Sequence, residues 1–217
     1  VKIQFLGANR QVTGSQYFVQ CGRTRVLVDC GMFQERPYLD RNWGPLPVPA
    51  RELDAVILTH AHLDHCGLLP KLAQDGFHGR IFATSATADL AEIILRDSAH
   101  IQMEDAAYKR RRHKKEGRVG KYPEIPLYDI NDVEAVLPYF RPVEYHRPVE
   151  LADLTFRFLD AGHILGSAIL LMELRENGKR RRLMFSGDLG QRNRPILRDP
   201  EGINEAIDYL VIESTYG

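Results

Sequence analysis

The sequence predicts an α/β fold in which two mixed β-sheets are covered by helices, a four-layer αββα sandwich. One observation is that five short apolar segments with strand character end in side chains that bind metals or titrate. Another is that helical segments with an apolar side follow some of these strands. Because side chains from five strand ends meet only where those ends share an edge, we expect a metal site along one edge of the sandwich.

The composition is that of an ordinary globular protein. Its 217 residues suffice for one domain with a good core or for two small domains. The formal net charge is zero, so no overall field selects nucleic acid or a membrane. Cys21, Cys30 and Cys66 lack CxxC spacing, which indicates a reducing compartment without disulfide bonds. No apolar run is long enough to span a bilayer and no signal peptide is visible, so a cytoplasmic protein without membrane contact is expected.

The chain begins with predicted strands. Val1 to Leu6 is the first, and a loop over residues 7–15 follows it. Tyr17 to Gln20 and Arg25 to Val28 form a predicted hairpin whose second strand leads into Asp29. An aspartate at a strand end usually forms a turn. Beside a histidine cluster, Asp29 is also a candidate for holding a ligand imidazole through its other nitrogen.

The densest cluster of metal-binding side chains follows the predicted buried strand Leu53 to Thr59. His60 and His62 point the same way if the backbone stays extended, whereas Asp64 and His65 lie beyond a bend and can face a second ion. Neutral imidazoles with a carboxylate suit a catalytic zinc site better than a closed structural site. Polar loop residues or helix caps are the alternative, but three histidines and an aspartate so close together favour a metal site.

The middle of the chain is predicted to be mainly loop and helix. A short helix follows the histidine cluster, with Leu68, Leu69 and Leu72 on its apolar side. Residues 34–51 are a predicted loop in which Trp43 either stacks on a base or fixes the loop to the core. Arg80 to Ala83 is a predicted strand, and a long helix begins at Ser85. Its buried side is expected to consist of Leu90, Ile93, Ile94 and Ile101.

A basic run ends this long helix. It reads Lys109, Arg110, Arg111, Arg112, His113, Lys114 and Lys115. A solvated helix end is the common interpretation of such a run, and a phosphate-contacting patch is the functional one. Both stay open, because the run supplies charge without interleaved aromatic residues.

A second histidine position follows a strand in the last third of the chain. Asn131 and Glu134 are typical of a capping box that opens a short helix. The predicted strand Leu154 to Leu159 then leads to His163, which lies between Gly162 and Gly166. A lone histidine is usually an ordinary polar group, but at this position His163 is a candidate third metal ligand.

Two acidic side chains follow the last strands. Residues 168–174 and 182–185 form a predicted hairpin with its turn at Asn177 and Gly178. That hairpin leads to Asp188, which glycines flank as they would a bridging carboxylate. The final predicted strand, 208–212, ends at Glu213.

Together these residues resemble the metallo-β-lactamase superfamily, whose signature is HxHxDH followed by a distant histidine and a distant aspartate. Within it they are most similar to the β-CASP branch of nucleic-acid nucleases, especially the pre-mRNA 3′-end-processing endonuclease and its prokaryotic ribonuclease relatives. The ribonuclease J subgroup fits less well. The matching segments are Val12-Thr13-Gly14-Ser15, Asp29-Cys30-Gly31, Thr59 to His65, Gly162-His163, Ser186-Gly187-Asp188-Leu189-Gly190 and Glu213-Ser214-Thr215-Tyr216-Gly217.

The resemblance implies a dinuclear zinc site that hydrolyses RNA. His60, His62 and His163 would hold one zinc, Asp64 and His65 the second, and Asp188 would bridge the two. Asp29 would orient a ligand, and Glu213 would support a histidine that acts as proton donor. Two zinc ions about 3.5–4 Å apart supply hydroxide at neutral pH and clamp a phosphodiester. The basic residues Arg110, Arg111, Arg112, Lys114 and Lys115 are the candidates for contacting RNA.

In that family an inserted β-CASP domain begins where this sequence ends. Residues 1–217 are therefore expected to be the N-terminal portion of a metallo-β-lactamase domain, without the inserted domain, the closing strands, the donor histidine or a last zinc-binding histidine. One zinc is expected to bind firmly and the second more weakly. Low nuclease activity and self-association through an open sheet edge are expected for this polypeptide.

Two other functions compete with a ribonuclease. A hydrolase of thioesters or lactones would share the metal signature but would not need the segments at 12–15 and 213–217. A non-catalytic scaffold subunit of an RNA-processing complex would be expected to lose ligand residues, whereas each expected position up to 217 is filled.

Overall fold

The computed structural model describes residues 1–176 and 178–215, which form two β-sheets packed face to face. The first sheet has the strand order β1–β2–β3–β4–β5–β6, and the second has the order β11–β10–β9–β8–β7. The strands are β1 (Lys2–Phe5), β2 (Tyr17–Cys21), β3 (Thr24–Val28), β4 (Ala55–Ile57), β5 (Arg80–Ala83), β6 (Phe140–Pro142), β7 (Val149–Glu150), β8 (Leu154–Asp160), β9 (Ala168–Glu176), β10 (Lys179–Phe185) and β11 (Tyr209–Val211).

The helices of the described residues pack on the first sheet. They are α1 (Leu63–Cys66), α2 (Leu69–Gln74), α3 (Ser85–Glu116) and α4 (Ile130–Val136), with 3₁₀ turns at Arg36–Asn42, Ala50–Glu52 and Leu137–Tyr139. The outer face of the second sheet is covered by the irregular segment 187–208, where Leu189 and Ile203 pack on Leu159 and Ile169. The predicted class of two mixed sheets with helices is confirmed. Within the described residues, however, the layer outside the second sheet contains no helix.

Two apolar cores hold these layers together. Between the sheets, alternate side chains of both meet, as with Val26 and Ile57 of the first sheet and Phe156 and Phe158 of the second. Burial of such side chains stabilises the fold by roughly 1.5–3 kcal/mol each. The other core lies between the first sheet and the helices. The site-bearing strand ends therefore project from a rigid support.

The strand pairing places the parallel strands side by side. β3, β4, β5 and β6 run parallel, with Leu27 opposite Val56 and Val56 opposite Ile81. The hairpin of β2 and β3 is confirmed, with Cys21 paired to Thr24. In the second predicted hairpin, β9 and β10 pair antiparallel. Its turn residue Asn177 lies outside the described residues, and Gly178 has a positive φ of 71°.

The predicted buried side of α3 is wrong at two positions. Ile93 and Ile101 are 63% and 53% exposed, whereas the small side chains of Ala91 and Ala99 are fully buried with Leu95. Residues spaced by four along this helix share one face, and here that face is built largely from small residues. Leu90 and Ile94 pack only partly against the core.

Two smaller local predictions also need correction. The capping box of α4 is formed by Asp129 and Asp132 rather than by Asn131 and Glu134, so the helix begins two residues earlier. Aspartate at both positions satisfies the same two backbone donors that a Ser/Glu pair would. The predicted loop 34–51 is not irregular throughout, because 3₁₀ turns form at Arg36–Asn42 and Ala50–Glu52. No helix of the described residues is long and apolar enough to cross a membrane.

Candidate metal centre

The polar side chains that follow five strands gather at one edge of the two sheets. Asp29 follows β3, the histidine cluster follows β4, and His163 follows β8. Asp188 and Glu213 follow β10 and β11, which run parallel. The two sheets are joined at this edge, because Ala168 N of β9 donates to Thr59 O at 2.9 Å.

Three imidazoles and one carboxylate converge at a single point. His60 Nε2 lies 3.0 Å from His62 Nδ1, and His163 Nε2 lies 3.2 Å from that same atom. Oδ2 of Asp188 lies 3.7 Å from His60 Nε2 and 3.6 Å from His163 Nε2. One ligand atom from each of these residues falls within 4.8 Å of all the others. Zinc–nitrogen bonds of ~2.0–2.1 Å in a tetrahedron separate the nitrogens by about 3.3 Å, so the four groups fit a single cation.

The second oxygen of Asp188 faces another group of donors. Oδ1 of Asp188 lies 3.3 Å from His65 Nε2. Asp64 Oδ2 lies 3.9 Å from this nitrogen, and the Ser15 hydroxyl lies 3.4 Å from it. Asp188 therefore stands between the group of three imidazoles and the pair formed by Asp64 and His65.

A buried carboxylate sets the orientation of imidazoles in both groups. Asp29 is 1% exposed and has a φ of +57°. Its carboxylate accepts hydrogen bonds from His65 Nδ1 at 2.8 Å, from the Thr59 hydroxyl at 2.9 Å and from Thr59 N at 2.7 Å. Since an ionised carboxylate only accepts, the Thr59 hydroxyl donates to it and accepts from His60 Nδ1, 3.1 Å away. Nδ1 of both His60 and His65 is thereby engaged, and Nε2 of each ring faces the centre.

The pKa shifts differ across the site. Burial lowers the pKa of His60 well below the usual histidine value, and the neighbouring imidazoles lower it further. Burial also lowers the pKa of His62, with His163 the next cause. Burial alone would lower the pKa of His65, but the Asp29 and Asp188 carboxylates outweigh it and raise that pKa to about 10. His60 and His62 are thus held neutral, the form that binds metals, while two carboxylates stabilise a positive charge at His65.

The loop that contains His163 is fixed by α3. The carbonyl oxygen of Gly166 accepts from the Thr84 hydroxyl at 2.7 Å and from the Thr87 hydroxyl at 2.8 Å. Thr84 is also the N-cap of α3. Within the loop, the Ser167 hydroxyl accepts from His163 N at 2.9 Å.

The loops of His163 and Asp188 contact each other directly. Gly190 N donates to the carbonyl oxygen of Ala161 at 2.9 Å. A Cβ atom at Gly190 would lie 1.6 Å from the carbonyl oxygen of Gly162. Only glycine permits this approach, which sets the separation of His163 from Asp188.

Glu213 contacts the backbone beside the site rather than the convergent imidazoles. Its Oε1 accepts from Leu189 N at 2.7 Å, and its own N donates to the Ser186 hydroxyl at 3.0 Å. It therefore holds the turn that contains Asp188. A cavity of about 280 Å³ lies here, lined by side chains that include Arg10, Asp29, His65, Asp188 and Glu213.

The basic run lies elsewhere. Arg110, Arg111, Arg112, Lys114 and Lys115 are all exposed on the last turns of α3, and none of them lines the cavity at the metal edge. The structure thus brings together the predicted metal-binding residues with Asp29 and Glu213 and leaves the basic run apart.

Two residues at the site had no predicted role. Thr59 links Asp29 to His60, and a hydroxyl directly before the first histidine is the only sequence signal for it. Ser15 donates its N–H to the carbonyl oxygen of Asp64 at 2.8 Å. That contact spans 49 positions of the chain, so no local pattern indicates it.

Comparison with known proteins identifies a family. The sequence profile described as the metallo-beta-lactamase superfamily matches residues 10–214. Ribonuclease TTHA0252 of Thermus thermophilus is 39% identical over 217 residues, covering all of this chain and 44% of that protein. Transcription termination factor FttA of Methanocaldococcus jannaschii is 32% identical over 221 residues, covering all of this chain and 32% of that protein. An RNase J-like protein of the same organism is 32% identical, with 43% of its length covered. The chain therefore spans less than half the length of these relatives.

Solved structures agree on the fold. A metallo-β-lactamase of Cronobacter sakazakii matches with a TM-score of 0.52 and 17% identity, over 89% of this chain and 58% of that one. A B3 metallo-β-lactamase with an active-site glutamic acid matches with a TM-score of 0.51 and 19% identity, over 89% and 65%. At such low identity these likenesses concern the fold alone.

Proposed function

This chain belongs to the metallo-beta-lactamase superfamily, and on that basis we propose that it is the metal-binding part of a ribonuclease that hydrolyses RNA phosphodiester bonds. The observation that supports this most is the position of Asp188. Its two oxygens face separate groups of donors, at 3.6–3.7 Å and at 3.3 Å. A carboxylate so placed suits the bridging position between two cations.

The donor set suits zinc. His60, His62 and His163 with Asp188 would hold one ion, and Asp64 and His65 with Asp188 would contribute to the second. Bound there, a pair of divalent cations supplies hydroxide at neutral pH and neutralises the charge of the phosphodiester. Asp29 and Thr59 orient His65 and His60, and Glu213 holds the turn of Asp188.

RNA is proposed as the substrate because two of the relatives described above are named as a ribonuclease and as an RNase J-like protein. We propose that the chain belongs to the β-CASP branch of the superfamily, which the sequence segments at 12–15 and 213–217 resemble. We further propose that these residues form the N-terminal portion of the metallo-β-lactamase domain. We also propose a reducing, cytoplasmic compartment, which the lack of CxxC spacing among Cys21, Cys30 and Cys66 supports.

The exposed basic run is proposed to contact RNA phosphates. Lys109, Arg110, Arg111, Lys114 and Lys115 have no carboxylate within 4.0 Å among residues 1–176 and 178–215. Cations that are not already paired are free to replace the counterions of a polyanion.

The test is metal analysis and RNA cleavage on the same preparation of the full-length protein. We expect zinc to copurify, cleavage of single-stranded RNA to stop after chelation, and zinc to restore it. Asp188→Ala should abolish cleavage, whereas Asp89→Ala, a change of an exposed carboxylate on α3, should not. Hydrolysis of a thioester without cleavage of RNA would identify a small-molecule hydrolase instead. A folded protein that binds no metal and cleaves neither substrate would be a scaffold.

A further inference from the structure

A cleft of about 690 Å³ lies between the second half of α3 and the segment 118–127. We call it the α3 cleft. The buried residues Met32 and Phe33 are among its lining residues, as are Trp43 and Tyr122. Met32 follows Asp29 by three positions, and its N donates to the carbonyl oxygen of Leu63 in α1. None of the described residues that line the cleft also lines the cavity at the metal edge.

The walls of the α3 cleft are tied to each other. The side-chain oxygen of Gln102 in α3 accepts from Leu127 N at 3.0 Å. Further along α3, Nδ1 of His113 contacts the Glu124 carboxylate. The segment 118–127 is therefore held to the helix at two points, and the cleft is preformed.

The segment that runs along the α3 cleft has a strongly positive net charge. Residues 109–121 contain eight lysines and arginines and a single acid, Glu116, although the whole chain is neutral. Lys109, Arg112, Arg118 and Lys121 line the cleft together with two acids, Asp105 and Glu124, of which Glu124 contacts His113. A concave surface on which one sign of charge predominates concentrates ligands of the opposite sign.

Flat aromatic rings also line the α3 cleft. Trp43 and Tyr122 lie nearly parallel, with an interplanar angle of 14° and ring centroids 6.5 Å apart. Both side chains are partly exposed. Lys121 Nζ lies 4.9 Å from the Tyr122 ring centroid and 3.1 Å from its hydroxyl oxygen, so a cation stands beside the rings. The basic run itself has no interleaved aromatic residues. Folding supplies Trp43, which precedes Lys109 by 66 positions, and Tyr122, which follows Lys109 by 13.

We propose that the α3 cleft binds single-stranded RNA outside the metal site, stacking a base on Trp43 and Tyr122 and contacting phosphates with Lys109 and Arg118. The ion pair of Arg118 with Glu116, at 2.9 Å, is exposed and of small energetic weight, so a phosphate can replace the carboxylate. Aromatic faces beside a row of cations are what binding of single strands without strong sequence preference requires. An acidic peptide would satisfy the cations but would leave the flat rings without a stacking partner. The proposal rests on the proposed function only in that the bound strand is the one that the metal site would cut.

Binding is measured on the full-length protein with a nuclease-resistant phosphorothioate oligouridylate, by fluorescence anisotropy. Loss of one stacking partner costs about 5- to 150-fold in affinity. We therefore expect Trp43→Ala to weaken binding by a factor in this range and Trp43→Phe, which keeps a flat ring, to stay close to wild type. Lys109→Gln with Arg118→Gln should weaken binding and lower the salt slope by about 1.4, since each phosphate contact on a single strand contributes about 0.7. The matched control is Lys179→Gln with Arg180→Gln, two exposed cations on β10.

The fluorescence of Trp43, the one tryptophan in these 217 residues, gives a direct second measurement. The signal that differs between wild type and Trp43→Phe should be quenched on titration with the oligonucleotide, with the same midpoint as the anisotropy. Unchanged affinity in Trp43→Ala and in the double variant, or no quenching that depends on Trp43, would overturn the proposal. If polyglutamate of the same charge binds equally tightly and does not change the fluorescence of Trp43, the proposal is overturned in favour of an acidic polypeptide.

Cleavage assays on the same preparations separate this proposal from the proposed function. Quenching and weakened binding without any hydrolysis of RNA by the wild type would support the cleft and refute the ribonuclease. Hydrolysis of RNA with a KM that the cleft variants leave unchanged would refute the cleft alone.

Discussion

The hydroxyl of Thr59 lies 2.9 Å from Oδ2 of Asp29, in the interior of the protein. Through this contact one carboxylate acts on two imidazoles, directly on His65 and through Thr59 on His60. The two groups of candidate metal-binding side chains at the sheet edge therefore share one positioning residue.

Replacing Thr59 with valine should weaken metal binding by the His60 group. Valine keeps the size and the backbone N–H that donates to Asp29, but it removes the acceptor for His60 Nδ1. Loss of a group that orients a ligand typically costs about 10–100-fold in metal affinity. Thr59→Ser retains the hydroxyl and should bind nearly as tightly as wild type. Competition with a chromophoric chelator measures both, and equal affinities for Thr59→Val and wild type would remove Thr59 from this role.

Asp188→Ala should reduce bound metal more than Glu213→Ala. Asp188 directs an oxygen at each group of donors, so its loss affects both positions. Glu213 acts through a hydrogen bond to Leu189 N, and its loss should shift the turn of Asp188 without removing a donor.

The measurement is metal per protein after dialysis against a weak chelator. Glu213→Gln keeps an oxygen that can accept from Leu189 N, and it should restore most of what Glu213→Ala loses. Equal metal loss from the two alanine variants would show that Glu213 itself binds a cation.

Gly190→Ala should destabilise the fold and separate two parts of the site. The added methyl group would lie 1.6 Å from the Gly162 carbonyl oxygen, so the loops of Asp188 and His163 must move apart. Forced overpacking of this kind typically costs ~1–3 kcal/mol. Gly202→Ala is the control, because a Cβ there meets nothing within 4 Å. Chemical denaturation gives the free energy of unfolding, and metal titration gives the affinity. If Gly190→Ala and Gly202→Ala have the same free energy of unfolding and the same metal affinity, this contact does not hold the two loops together.

The sequence predicts the residues of the metal site better than it predicts which side of a helix is buried. A polar side chain at a strand end can be recognised in the sequence, because an apolar run precedes it, as with His60 and Asp188. Side chains at such strand ends then lie close together wherever the ends share one edge of the sheets. The role of Thr59 could not be predicted, because it depends on a 3.1 Å contact between neighbouring side chains rather than on spacing.

The buried side of α3 shows the opposite case. Large apolar residues such as Ile93 were expected inside, but this helix buries Ala91 and Ala99, and it also buries Ser98, which receives a hydrogen bond from the Tyr128 hydroxyl at 2.9 Å. Hydrophobicity alone does not reveal how closely a helix approaches its neighbours. The pairing of Trp43 with Tyr122 in the α3 cleft could not be predicted either, because the two residues are 79 positions apart in the sequence.

Replacing Arg110, Arg111 and Arg112 with alanine should lower the salt dependence of RNA binding by the full-length protein. Each phosphate contact on a single strand contributes about 0.7 to the log–log slope, so three lost contacts should reduce it by about two. The matched control replaces Lys179, Arg180 and Arg181 on β10 with alanine, which removes the same charge from another surface. Binding is followed by anisotropy at several salt concentrations with the nuclease-resistant oligonucleotide. Arg112 pairs with Glu116 at 2.8 Å and Arg181 with Asp208 at 3.2 Å, so each set also loses an exposed ion pair of small energetic weight. A slope that falls equally in both triple variants would reflect net charge alone, and an unchanged slope in the Arg110–Arg112 variant would show that the end of α3 is merely solvated.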